Sequence, residues 1–468
     1  MIPTRLEFSV RHNIKGNQIG FAWDSPGETP FVRPTFSVVL PRSAERVSLN
    51  AVYSAFLALF VSALPRGAQA RIHLPAGVSP AIAWLWCRFH ERAGICITIG
   101  GRECDFAELD MQAAAPYHKM ADEALDGRKL LILFGGGKDS TMALEQFSGL
   151  LPPERIECLT VSYQRALVSR RETRRRQLCF SPLEQRTGIS FNTARTDLWR
   201  ILRDRDSFAP GFALFYAAGL ALAETGNIGA MCFSMEWTHY HTIAQGKQSH
   251  HGTGPWWNHV ISQVFSQMLD RPFVLFNANR HLSERHPVAY LAAKRSPALD
   301  TILMCENSTE VSQRFCYRCK KCFEWSLHTL ANDTSGAGLD FDHLYGDSFF
   351  IMEALASAGE LVSRKWPRVL GSPLHADSTR DMMHLIGDSP RRITTLRASG
   401  HWRRLRAMIA SERPISRSLW RTGLDEEDYP FAEWAWSEVA PLFPSLRGRI
   451  DGHTVGFRPA VFVPIAEL

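Results

Sequence analysis

The sequence predicts an α/β fold built on a doubly wound parallel sheet, with a small N-terminal α+β module before it and a mainly helical C-terminal region after it. Two observations support this prediction. From residue 129 onward, apolar runs of strand length alternate with amphipathic runs of helix length, which is the order of βαβ units and requires parallel strands. The chain of 468 residues is also too long for one ordinary core, so more than one domain is expected.

Residues 1–115 are predicted to form the α+β module. The segments "RLEFSV", "QIGFAW" and "FSVVL" alternate apolar and polar residues and predict three strands. The longer apolar segment "NAVYSAFLALFVSAL" predicts a helix, and "ARIHLPAGVSPAIAWLWCRFHERAG" predicts a further strand and helix. A domain boundary is placed near residue 115.

Residues 116–345 are predicted to form the doubly wound domain. The segment "MQAAAPYHKMADEALDG" predicts a helix that leads into the strand "KLLILF", a glycine turn, the helix "KDSTMALEQFSG" and the strand "IECLTVSY". Further on, "PGFALFYAAGLALAETG" predicts a helix, and "GAMCFS" and "RPFVLFN" predict strands. Residues 346–468 show a mainly helical pattern interrupted by Pro and Gly.

Composition narrows the class of protein. A hydrophobic fraction of 45% with 21% charged residues is typical of a globular chain, and the net charge of +6 favours anionic partners. The start has no apolar stretch after a basic one, and the longest apolar runs fall short of the roughly 20 residues that a membrane span needs. The sequence therefore predicts a soluble, cytoplasmic protein with no membrane partner, in which the ten cysteines are thiols or metal ligands.

The segment "LLILFGGGKDSTMALEQF" at 130–147 predicts a phosphate-binding loop. A strand that turns through glycines into a helix directs free backbone N–H groups and the positive end of the helix dipole at one point. Lys138 can add a point charge, Asp139 can cap the helix or hold a magnesium ion, and the hydroxyls beyond it can donate. The candidate binding residues are Gly135, Gly136, Gly137, Lys138, Asp139, Ser140 and Thr141.

Two common phosphate loops do not fit this segment. It lacks the four-residue gap of G-x-x-x-x-G-K-[ST], and it is not G-x-G-x-x-G, so neither a Walker-type NTPase nor a dinucleotide enzyme is favoured. The remaining alternative is an ordinary glycine-rich turn between a strand and a helix.

Four cysteines form a second motif. Cys305, Cys316, Cys319 and Cys322 are spaced C-x10-C-x2-C-x2-C, which predicts a closed tetrahedral zinc site of the structural type. An iron–sulfur cluster could use the same thiolates, and reduced core cysteines are the plainer alternative.

The segment "FGGGKDS" resembles the PP-loop, SGGxDS, of the ATP pyrophosphatase superfamily, with Gly135 where serine is usual. This resemblance implies a PP-loop (HUP-like) ATP-binding domain, with ATP and Mg²⁺ as cofactors. In that superfamily the loop holds the β,γ-pyrophosphate of ATP, a nucleophile attacks the α-phosphorus, and an adenylate is formed. By this resemblance, the strand "IECLTVSY" at 156–163 corresponds to the one that lies beside the adenine, and Ser162 is a further candidate binding residue.

The loop and the cysteines together resemble two families within that superfamily. One is 7-cyano-7-deazaguanine synthase, whose zinc pattern is similar. The closer one is the ATP-dependent UDP-N-acetylmuramoyl-L-alanyl-L-glutamate epimerase family, whose loop also reads Gly-Gly-Gly-Lys-Asp-Ser. The likeness spans roughly 130–345 and includes "CFSMEWTHYH" and "WNHVISQVF", although Met235 replaces the family's asparagine. The C-terminal residues do not share it.

The closer resemblance implies that a terminal α-carboxylate of a peptide is adenylated, that its α-carbon is inverted and that the adenylate is then hydrolysed. Adenylation makes the α-proton easier to remove, because the enolate of a free carboxylate would carry two negative charges. A base and an acid are then needed on opposite faces. The candidate catalytic residues are Lys138, Asp139, Glu236, His239 and His259.

Three further stretches carry candidate side chains. Residues 236–259 contain five of the 17 histidines, which could transfer protons, although a single histidine in such a loop is more often hydrogen-bonded to backbone. The arginine-rich run "QRALVSRRETRRRQ" at 164–177 could clamp a nucleotide-linked substrate or a nucleic acid, or could be a solvated helix face. The stretch "SERHPVAYLAAKRSP" at 283–297 offers more basic side chains for an acidic substrate.

Three functions remain as hypotheses. The first is an ATP-dependent epimerase that activates the carboxylate of a glutamate-like residue in a peptide or a UDP-linked peptidoglycan precursor. The second is an amidating or transferring enzyme that resembles 7-cyano-7-deazaguanine synthase. The third is a nucleotide-binding regulator. Nucleic acid is the less favoured partner, because no added RNA-binding domain is recognised. The sequence is compatible with a homo-oligomer and does not determine the oligomeric state.

Overall fold

The structure is a computed structural model. It describes residues 6–25, 29–65, 67–106, 120–163, 166–204, 210–236, 243–244, 247–248, 251–280, 282, 284–305, 308, 310–317, 319–334, 336–344, 436 and 439–455.

Strands and helices alternate along the described chain. The strands are β1 (Leu6–Lys15), β2 (Gln18–Asp24), β3 (Thr35–Val39), β4 (Ala70–Leu74), β5 (Ile95–Ile99), β6 (Arg102–Glu103), β7 (Lys129–Leu133), β8 (Ile156–Ser162), β9 (Ser190–Thr196), β10 (Ile228–Phe233), β11 (Ile243–Ala244), β12 (Lys247–Gln248) and β13 (Val274–Asn277). The helices are α1 (Leu49–Ala63), α2 (Pro80–Phe89), α3 (Met120–Leu125), α4 (Lys138–Ser148), α5 (Ala166–Arg175), α6 (Ser181–Thr187), α7 (Leu198–Ile201), α8 (Ala213–Gly226), α9 (Pro255–Leu269), α10 (His286–Ala293), α11 (Lys320–Asn332), α12 (Phe341–Leu344) and α13 (Arg447–Asp451).

Eleven strands form one sheet in the order β13-β10-β7-β8-β9-β3-β2-β1-β4-β5-β6. Between β13 and β9, each pair of neighbouring strands is parallel. Within this part the chain starts at β7, adds β8 and β9 on one side, and then adds β10 and β13 on the other. The strand order therefore reverses between β7 and β10, and loops at the carboxyl ends of such strands form the usual ligand crevice of doubly wound sheets.

The N-terminal strands continue the same sheet. β3 pairs antiparallel with β9 through Val38 opposite Thr196 and Val39 opposite Arg195. The carboxylate of Asp197 strengthens this junction, because it accepts hydrogen bonds from the Ser37 N–H at 2.6 Å and from the Arg33 guanidinium at 2.7 Å. One buried cluster then spans both parts, with α1 and α2 on the same face of the sheet as α8 and α9.

The predicted α/β class is confirmed, with a large and mostly parallel central sheet and helices around it. Most predicted elements of residues 5–103 and 129–277 are present with ends shifted by a few residues. The boundary placed near 115 lies outside the described residues, as does most of the C-terminal region, of which 439–455 is described as short helical turns. Among the described residues, no helix is long and apolar enough to cross a membrane.

Candidate phosphate-binding site and cysteine cluster

The glycine loop lies at the carboxyl end of β7, on the side where the strand order reverses. Gly136 has φ +82°, a left-handed conformation that favours glycine. Gly137 is the N-cap of α4 with extended backbone angles, and no side chain caps the helix there. The first N–H groups of α4 are thus left for a ligand, and the helix dipole makes an anion the favoured one.

The chain segment before the first clustered cysteine holds the loop in place. The Leu303 N–H donates to the Gly136 carbonyl at 2.8 Å. A Cβ on Gly136 would lie 3.2 Å from Sγ of Cys179 and 3.5 Å from the Phe180 ring. Close packing on this side therefore adds a second reason for glycine at position 136, whereas a Cβ on Gly135 would meet nothing within 4 Å.

The hydroxyls after the loop turn back toward it. Ser140 and Thr141 both donate to the Gly137 carbonyl, at 3.2 Å and 2.8 Å. Thr141 is fully buried, whereas Asp139 is partly exposed at the mouth of the loop. Ser162 ends the neighbouring strand β8 and is buried at the same edge of the sheet.

Lys138 points into a buried group of carboxylates. Its Nζ lies 2.8 Å from Asp139 Oδ1, 3.7 Å from Glu236 Oε1 and 3.9 Å from Glu284 Oε1, and its side chain is 1% exposed. Burial alone would lower the pKa of Lys138, but the three carboxylates outweigh it and raise that pKa. The lysine is therefore a fixed positive charge behind the loop.

Two asparagines at the carboxyl end of β13, one of them its last residue, connect the loops that follow β7 and β10, and sequence reasoning missed both. The Asn277 side chain accepts from the Met235 N–H at 3.0 Å and donates to the Met235 carbonyl at 2.9 Å. Asn279 Nδ2 donates to the Asp139 carbonyl at 3.2 Å, while its buried Oδ1 has no hydrogen-bond partner among the described residues. The spacing Asn-x-Asn at the end of a strand was the available signal.

One face of α11 adds polar residues that sequence reasoning also missed. Lys321 Nζ lies 2.9 Å from Glu324 Oε2, and His328 follows one turn later on the same face. His328 is fully buried, and within the part of the chain that the structure describes neither ring nitrogen has a hydrogen-bond partner. Burial, with a smaller contribution from Lys138, lowers the pKa of His328 to about 3, so its imidazole is neutral.

The predicted catalytic residues are only partly brought together. Lys138, Asp139 and Glu236 belong to one cluster, which Glu284 joins from the start of α10. His239 lies outside the described residues. His259 is partly exposed on α9, and no hydrogen bond or ion pair in the described part of the chain connects it to Lys138. Nearby Ser262 has a structural contact, because its hydroxyl accepts from the Leu275 N–H at 2.8 Å.

The four predicted cysteine ligands meet at one point. Their sulfur atoms all lie within 4.8 Å of one another, and the Cys319–Cys322, Cys305–Cys319 and Cys316–Cys322 pairs are 3.6, 3.9 and 3.9 Å apart. Tetrahedral zinc with bonds of about 2.3 Å needs sulfurs about 3.8 Å apart. The cluster can hold a metal ion and its geometry is compatible with zinc.

The cysteine cluster is fastened to the glycine loop by arginines. Arg174 is buried and donates to the carbonyls of Cys305 and Ser308. Arg314 donates to the Ile302 carbonyl at 3.0 Å and to the Leu178 carbonyl at 3.2 Å. Because Leu303 next to Ile302 holds Gly136, the cysteine cluster and the loop are two parts of one packed region.

Comparison of the chain with protein-family models finds no matching family, and comparison with curated proteins finds no match either.

Proposed function

We propose that this chain is an enzyme that uses ATP to activate a carboxylate, forming AMP and pyrophosphate. The observation on which the proposal rests is the position of the glycine loop. It opens where the strand order of a parallel sheet reverses, with an uncapped helix behind it and Lys138 fixed among Asp139, Glu236 and Glu284. Free N–H groups at a helix N-terminus suit a polyphosphate, and a Mg²⁺ ion at this loop would offset the negative charge of the carboxylates around Lys138.

Most of the predicted binding residues have a direct role in this proposal. The N–H groups of residues 135–140 donate hydrogen bonds to the phosphate oxygens, and Lys138 supplies a compact positive charge beside them. Asp139 is the residue most accessible for Mg²⁺, which would neutralise the phosphates and which prefers oxygen ligands. Ser162, at the end of β8, lies on the side of the loop where the nucleoside is expected. Zinc is proposed for the cysteine cluster.

The acid is proposed to be a glutamate-like terminal residue of a peptide or of a UDP-linked peptidoglycan precursor, with epimerisation as the outcome. This rests on the resemblance of the loop, Glu236 and the Asn258–His259 stretch to the epimerase family. Glu236 is the described proton-transfer candidate nearest the loop, since its Oε1 lies 3.7 Å from Lys138 Nζ. The activated acid would make the α-proton acidic enough for such a group to remove.

The test is to incubate the full chain with Mg-ATP and candidate peptides in heavy water. Both pyrophosphate release and deuterium at the α-carbon are followed, and the proposal expects the two signals together with the same peptide. Pyrophosphate without deuterium would contradict epimerisation and favour the amidating enzyme. Failure of ATP to bind at all, measured by calorimetry, would contradict the whole proposal and favour a different use of the loop.

A further inference from the structure

A cavity of about 630 Å³ lies against strands β8 and β9, beside the glycine loop. Arginine side chains from three parts of the chain line it: Arg175 and Arg176 from the end of α5 and the start of the π-helical segment after it, Arg195 from β9 and Arg200 from α7. The volume is that of an ordinary small-molecule site. Arginines that converge from separate elements differ from the solvated helix face that the arginine-rich run by itself suggests.

The arginine-rich run is divided by the fold. Arg174 is 2% exposed and points away from the cavity, toward the carbonyls of Cys305 and Ser308. Arg176 lines the cavity but is engaged by Glu184 at 2.5 Å and by the Phe191 carbonyl at 3.1 Å. Arg175 then faces the cavity together with two arginines from outside the run.

Among the described residues that line the cavity, four are arginines and one is a carboxylate. Glu172 is the carboxylate among its lining residues, and its Oε2 lies 3.9 Å from Arg195 Nε, beyond hydrogen-bonding distance. The other oxygen, Oε1, is buried without a hydrogen-bond partner among the described residues. Because guanidinium groups gathered around one space repel one another, an anion bound between them would lower the energy of the arrangement.

The remaining walls suit a phosphate carried by a small organic group. The hydroxyl-bearing residues Thr160 and Thr193 come from the two strands, and Phe180 supplies an apolar ring. The ring of Phe180 also packs edge to face on Phe134, at a centroid distance of 5.6 Å, just before the loop. Phe180 is thus a wall that the cavity shares with the glycine loop.

We propose that this cavity binds a small molecule bearing a phosphate or diphosphate group, held by Arg175, Arg195 and Arg200, at a site separate from the polyphosphate on the glycine loop. Guanidinium groups bind phosphate oxygens in pairs, which gives both affinity and orientation. A compact cavity favours a small ligand over a nucleic acid strand, which needs an extended basic strip. The proposal goes beyond the proposed function and does not require it.

The test uses the full chain with the glycine loop saturated by α,β-methylene-ATP and inorganic pyrophosphate as the probe, titrated by calorimetry. We expect saturable binding that weakens about tenfold or more in the double variant Arg175→Gln/Arg195→Gln. Arg186→Gln on α6 removes one positive charge at a position outside the cavity lining and should change the affinity by less than about twofold. Absent binding, or equal losses in both variants, would overturn the proposal.

Two further measurements distinguish a separate anion site in the cavity from an extension of the nucleotide site. Glu172→Gln removes the competing carboxylate and should tighten pyrophosphate binding several-fold, whereas Glu154→Gln, exposed elsewhere, should not. The double variant should leave the affinity for the ATP analogue unchanged, and a matching loss would mean that the cavity is part of the nucleotide site. Failure of the ATP analogue to bind the wild-type protein would contradict the proposed function. The cavity can then still be tested by titrating pyrophosphate in the absence of the analogue. If the double variant does not fold, Arg200→Gln replaces it.

Discussion

Lys138 and Glu236 meet in the protein interior, where Nζ of the lysine lies 3.7 Å from Oε1 of the glutamate. Lys138 begins the helix after β7, and Glu236 follows β10. These two strands are neighbours at the point where the strand order reverses. The ion pair therefore links the two loops that are best placed to hold a ligand.

Replacing Lys138 by Met should destabilise the protein even without a ligand. The substitution removes the cation near Glu236 and Glu284 in the interior, which should cost about 3–5 kcal/mol in the free energy of unfolding. Urea unfolding measures the loss. The double variant Lys138→Met/Glu236→Gln should recover part of it, so simple additivity of the two single losses would count against the ion pair.

Gly136→Ala and Gly135→Ala should differ strongly. At position 136 a side chain meets both a φ of +82° and Cys179 Sγ at 3.2 Å, so the cost is expected to be about 1–3 kcal/mol. Position 135 has space for a Cβ, and its alanine variant should unfold like the wild type. Chemical denaturation of both variants is the check. Equal stability of the two would contradict the close approach described for Gly136.

Removing one thiol of the cysteine cluster should release the metal. We expect Cys319→Ser to lose most of its zinc and to melt on the order of 10 °C lower, because a structural metal contributes directly to folding. Cys96→Ser, at a half-exposed thiol in β5, is the matched control. Mass spectrometry measures the zinc content and calorimetry measures the melting temperature of each variant. Full zinc retention in Cys319→Ser would contradict a metal site at these four cysteines.

His328 should make folding sensitive to acid. Its pKa is lowered to about 3 in the folded chain, mainly by burial, from the ordinary value of 6.5. Between pH 3 and pH 6.5 the imidazole of His328 is protonated in the unfolded chain but not in the folded chain. The contribution of His328 to the free energy of unfolding is therefore complete above pH 6.5 and falls by about 1.4 kcal/mol for each pH unit below it. His328→Gln should flatten that decline in denaturation curves at pH 5 to 7. His343→Gln, at an exposed site, should leave it unchanged; a flattened decline there too would argue against His328.

Asp139→Asn should impair the proposed ATP reaction at the glycine loop without changing the metal content of the cysteine cluster. Because the amide cannot offer a carboxylate to Mg²⁺, ATP-dependent pyrophosphate release should fall by about 100-fold or more while zinc content stays the same. Glu145→Gln, at a partly exposed position nearly two turns further along the same helix, is the charge-matched control. Undiminished turnover in Asp139→Asn would refute the placement of the ATP site.

Local patterns were enough to predict the glycine loop and the clustering of the four cysteines. Gly135–Gly137 between an apolar strand and an amphipathic helix specify a turn into a helix N-terminus wherever they occur, because strand, glycine and helix are local properties. The spacing of the four cysteines likewise limits how far apart their sulfurs can lie. Both features depend on residues that are near one another in the chain, and both are found where the sequence indicates.

Only the tertiary structure determines which residues surround the glycine loop and the cysteine cluster. Glu284, Asn279 and His328 come to the loop from three separate elements, and no local signal marks them as neighbours of Lys138. The junction of β3 with β9, which merges the N-terminal strands into the central sheet, depends on pairing between residues far apart in sequence. The sequence by itself determined the alternation of elements, the loop and the thiolate set. The carboxylates around Lys138 and the arginines around the second cavity required the fold, because side-chain proximity across a sheet follows from strand order, which a local pattern does not contain.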